Sequence, residues 1–75
     1  MRFAITMNVP VQGGALAHRI VCEHPAESLK ELTAEIESSD LLIVEEFFID
    51  KETKEVFSNG KIALNHLYIA KVKEL

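Results

Sequence analysis

Seventy-five residues leave room for one small domain, 1–75, and a net charge of −4 argues against direct binding to nucleic acid. No apolar run is long enough to span a membrane or to serve as a signal peptide. The single cysteine, Cys22, excludes an intramolecular disulfide and suits a reducing compartment. A soluble cytoplasmic protein is the expectation. The charge is uneven. From Glu23 to Glu55 there are eleven acidic and three basic residues, against one acidic and five basic in the remainder. The middle of the chain repels a phosphate backbone, whereas the two ends could attract an anion.

Arg2 to Val9 alternates cleanly, with Phe3, Ile5, Met7 and Val9 on one face, as a half-buried strand does. Gln12-Gly13-Gly14 turns the chain, and Leu16 to Glu23 returns as a second strand. The two strands predict a hairpin with a loop of about five residues. Pro25 suits a first helical position, and Ser28 with Glu31 forms an S-x-x-E capping box. The helix is placed from Ala26 or Ser28 to Ser38, with Leu29, Leu32 and Ile36 as its buried stripe. Glu27, Glu31, Glu35 and Glu37 make its outer face acidic.

Asp40 to Asp50, read DLLIVEEFFID, is the main strand. Both of its faces are largely apolar, as in a strand covered on both sides. Glu45 and Glu46 interrupt that pattern, because an unpaired buried carboxylate is costly. A bulge at this pair would set Leu42 and Val44 on one face with Phe47 and Ile49; a straight strand is the other reading. Either way a large side chain remains for the second face, and Phe48 is the candidate interface residue. Lys54 to Ser58 and Lys61 to Leu64 flank Asn59-Gly60, a pair that favours a tight type I′ hairpin. Asn65-His66 turns the chain again, and Leu67 to Lys73 is the last strand.

The fold class is therefore α+β. Two strands and a helix precede a four-stranded antiparallel meander, and the helix packs on a strongly bent sheet. The short turn before the final strand resembles that of small SH3-like or Sm-like barrels, a likeness of fold that implies no function.

Chemical motifs are sparse. His18, Cys22 and His24 share a strand face. At the strand rise His18 lies about 13 Å from Cys22 and about 20 Å from His24. Zinc needs its ligands near 2 Å, so no metal is expected. Cys22 has no adjacent base and reads as a buried thiol. No phosphate-binding glycine loop, dinucleotide fingerprint or zinc-finger spacing is present, and no cofactor is expected. The candidate ligand-binding residues are Arg19, Asn65, His66 and Tyr68. They combine a guanidinium, an amide, an imidazole and a ring with a hydroxyl.

A small chain with an apolar strand on both faces completes its core by self-association. The expectation is a non-enzymatic homo-oligomer that binds, and could sequester, a small anionic, nucleotide-like ligand at a subunit interface. The alternative is an acidic inhibitor or adaptor that meets a basic protein partner through Glu27, Glu31, Glu35 and Glu37.

Overall fold

A computed structural model describes residues 1–75. The elements are β1 (Arg2–Val11), β2 (Gly14–Glu23), α1 (Leu29–Ser38), β3 (Leu41–Ile49), β4 (Val56–Asn65), a 3-10 turn (His66–Tyr68) and β5 (Ile69–Glu74). One helix packs on a five-stranded antiparallel sheet of order β4-β3-β2-β1-β5, the α+β class that the sequence indicates. β4 and β5 are the two edges of this sheet, yet only the 3-10 turn joins them. So short a link between opposite edges requires the sheet to curl on itself. Its inner face then holds the core.

That core is built by alternation. Phe3, Ile5 and Met7 from β1 face Ile20 and Cys22 from β2, and Leu42 and Val44 from β3 face Leu64 from β4. Leu32 from α1 is fully buried among them, with Ile36 packed alongside. Helix α1 thus plugs one end of the curled sheet.

The helix begins as its capping residues dictate. Ser28 Oγ accepts the Glu31 amide at 3.1 Å. Glu31 Oε2 accepts the Glu27 amide at 2.8 Å, one residue further back than in the usual box. Pro25 and Ala26 lie before the helix.

Four expectations need correction. The β1–β2 loop is not five residues long: Val11 pairs with Gly14, and only Gln12 and Gly13 turn the chain. Pro10 is tolerated in β1 because β5 pairs with β1 only as far as Met7, leaving an open edge beyond. Asn59-Gly60 does not form a hairpin tip. β4 runs unbroken from Val56 to Asn65, and the β3–β4 tip is Asp50–Glu55. The register passes from Glu45↔Lys61 to Phe47↔Ser58, so Asn59-Gly60 supplies one extra residue opposite Glu46. Gly60 sits at φ +87, where a bulge as well as a tight turn demands glycine.

The bulge therefore lies at the level of Glu45-Glu46 but on the partner strand. β3 keeps a straight alternation. Glu46, half-buried, stays on the face of Leu42 and Val44, where Asn59 Nδ2 donates to it at 3.0 Å. Finally, the helix is followed by three strands, not a four-stranded meander, and β5 pairs with β1 instead of β4.

Candidate functional site

Cross-strand partners in an antiparallel sheet share a face. On the outer face of the curled sheet one row reads Arg19, Thr6, Lys71 and the next reads Val21, Ala4, Lys73. Adjacent strands lie about 4.8 Å apart, so the Arg19 and Lys71 backbones are separated by about 10 Å, and Lys71 and Lys73 by about 7 Å along β5. All three cations are exposed. The chain's ion pairs are Met1–Glu23, Arg2–Glu23 and His24–Glu35, and none of them engages Arg19, Lys71 or Lys73. The floor between them is small and neutral, with Thr6 and the buried Ala4. Further along, Arg2 lies 3.5 Å from Glu23 and over the Phe47 ring at 5.4 Å. The N-terminal ammonium's hydrogen bond to Glu23, with added help from its charge and from Arg2, holds that carboxyl below its ordinary range. Glu23 is thereby committed, and the unpaired cations keep their field.

Three of the residues selected from the sequence serve the fold. Asn65 Oδ1 accepts the Leu67 amide at 3.0 Å and caps the 3-10 turn. His66 meets the Asp40 carbonyl twice, through its backbone amide at 3.2 Å and through Nδ1 at 2.8 Å. Tyr68 is half-buried against the core. Arg19 lies out on β2, and its neighbours across the sheet are Thr6 and Lys71. Lys71 and Lys73 went unselected because their nearness to Arg19 depends on β5 crossing to β1. The alternation in Lys71-Val72-Lys73, with Val72 turned to the core, was the available signal.

The acidic helix face is partly occupied. Glu31 is used at the helix start, and Glu35 Oε2 lies 3.3 Å from His24 Nε2. Glu27 and Glu37 remain in solvent. His24 is 4% exposed and its Nδ1 accepts the Ala26 amide at 2.9 Å, which places the ring hydrogen on Nε2, toward Glu35. Beside it opens a cleft of about 490 Å³ lined by Glu35, Glu45, Lys61 and the apolar Ile43 and Val44. Both nitrogens of His24 are engaged within the chain.

Cys22 is fully buried, and burial first, then the charges of Glu23 and Glu46, pushes its thiol from 9.0 up to about 11. A thiol in that state is a poor nucleophile at neutral pH. No group of three or more His, Cys, Asp or Glu side chains is arranged to hold a metal ion. No helix is long and apolar enough to cross a membrane. Comparison with family models, curated proteins and solved structures finds no match.

Proposed function

We propose that the protein is a non-enzymatic, self-associating module that holds a small anionic, nucleotide-like ligand on the outer face of β2, β1 and β5. The observation that carries this reading is the trio Arg19, Lys71 and Lys73, exposed on one face without a carboxylate partner in a chain of net charge −4. A patch about 10 Å across suits one or two phosphate groups. Arg19 offers a planar fork of donors, and the lysines add point charges. The adaptor reading has less support, since Glu31 and Glu35 already have partners within the chain.

A ligand that binds only the folded chain raises its melting temperature. Thermal melts with nucleoside mono-, di- and triphosphates, and with inorganic phosphate, are expected to show such a rise. Arg19→Ala is expected to weaken binding at least tenfold by calorimetry, as each charge-assisted hydrogen bond contributes roughly 1.5–3 kcal/mol. Glu35→Gln, away from this face, is expected to leave the ligand bound. No shift with any of these anions removes the reading. Loss of a basic protein partner on Glu35→Gln, with Arg19→Ala silent, replaces it with the adaptor.

A further inference from the structure

We infer that a second copy of this chain covers the end of the curled sheet that α1 leaves open. The inference rests on the self-association in the reading above, but not on its ligand. Pairing between β2 and β3 is short, covering only Val21↔Phe47, Cys22↔Glu46 and Glu23↔Glu45. Beyond it the two hairpins part as separate arms. The inward face of the β3–β4 arm carries Phe48 stacked on Phe57, with ring centroids 5.3 Å apart, yet these rings are 49% and 40% exposed. The inward face of the β1–β2 arm carries Val11 and Leu16, with Leu16 58% exposed.

The size of the surface also indicates a missing cover. A folded monomer of 8.4 kDa is expected to expose about 4,600 Å², and this chain exposes 5302 Å². The excess, about 700 Å², is close to the roughly 800 Å² that each partner buries in a standard interface. The radius of gyration, 12.9 Å, likewise exceeds the roughly 11 Å expected of a compact chain of this length.

Charge selects a second copy as the occupant. Two chains of net charge −4 repel each other in general, but no charged residue occurs from Phe3 to Ala17. The β1–β2 arm is therefore a surface on which like-charged copies can meet. It also leaves the uncharged edge of β2 from Gly14 to Ala17 without a strand neighbour on the β3 side. Exposed edges of soluble monomers normally carry charges that discourage such contact. One chain holds both halves of the fit, an aromatic arm and an aliphatic arm. A two-fold rotation sets the aromatic arm of each copy against the aliphatic arm of the other.

Light scattering on the full chain from micromolar to submillimolar concentration is expected to give twice the chain mass. Phe48→Ser and Leu16→Ser, made separately, are each expected to give the single-chain mass with unchanged circular dichroism. Hydrogen exchange on the unmodified protein gives a readout independent of whether the variants fold. On concentration, exchange is expected to slow at residues 14–18, 47–49 and 56–58, and not at 41–43. A single-chain mass at every concentration overturns both the second copy and the self-association. A dimer whose slowed exchange lies at 41–43, or that persists in both folded variants, overturns the open end as the interface and leaves the self-association standing. Phosphate and nucleotide melts on Phe48→Ser report the ligand reading separately.

Discussion

The two ends of the curled sheet differ in how they are closed. At one end Leu32 from α1 joins Phe3 and Leu42 in one buried cluster, all nearly inaccessible to solvent, and His24 holds the segment before the helix through Nδ1 and the helix itself through Nε2 and Glu35. At the other end two arms diverge, and Phe48, Phe57, Val11 and Leu16 stay exposed. The same strands serve both ends, so strand composition does not explain the difference. The position of the one helix does. A helix inserted between β2 and β3 covers the end at which those strands connect and cannot reach the opposite one.

This contrast predicts a steep gradient in the cost of substitution. The largest effect is expected from Leu32→Ala, which opens a cavity at the plugged end. The cost expected for a fully buried leucine is about 2–5 kcal/mol, read by chemical denaturation. A loss under about 1 kcal/mol would show that the plug is not what closes that end.

Gly60→Val comes next. The bulge needs φ +87, which a β-branched side chain resists, while open space around the glycine means that backbone strain acts alone. About 1 kcal/mol or more is expected, with the melting temperature falling accordingly. An unchanged melt would mean that the β4 register, and with it the direction of the outer arm, is misassigned.

The last effect is absent at neutral pH and appears only in alkali. The thiol of Cys22 is raised in the folded chain from 9.0 to about 11. Between those values the unfolded chain loses its proton while the folded one keeps it. The resulting stability is full below pH 9.0 and is lost as pH rises toward about 11. Cys22→Ala is expected to flatten this alkaline limb of a pH–stability curve, at a packing cost that is independent of pH. An alkaline limb unchanged by the substitution would mean that the thiol is not sealed from solvent.

The plugged end was much the more legible of the two in the sequence. Ser28 and Glu31 announce the helix start, and the alternation of Phe3, Ile5 and Met7 marks a core strand; of the expected stripe Leu29, Leu32 and Ile36 the last two pack inward, whereas Leu29, in the first turn, stays exposed. These signals are local, resting on neighbours within a few residues. The open end was harder to read because it depends on Asn59-Gly60. A residue at positive φ there satisfies a tight turn and a bulge equally well, and only the pairing with β3 separates the two. The candidate site shows the same divide. Arg19 stands out as a lone guanidinium on an alternating strand. Its companions Lys71 and Lys73 reach it only through the non-local pairing of β5 with β1. Asn65 was visible as a turn residue, and capping the turn is what it does.

The three-residue link from β4 to β5 has a consequence for how the chain forms during synthesis. Phe3 pairs with Glu74, so the first strand waits for nearly the whole chain before its second neighbour exists. The hairpins and the helix can form early from local contacts. The final closure cannot, and its long chain separation places folding on the slow side, roughly milliseconds to seconds. Until Ile69–Glu74 docks, one edge of β1 stays open. A released chain truncated just before Ile69 would present that edge to other chains and to proteases.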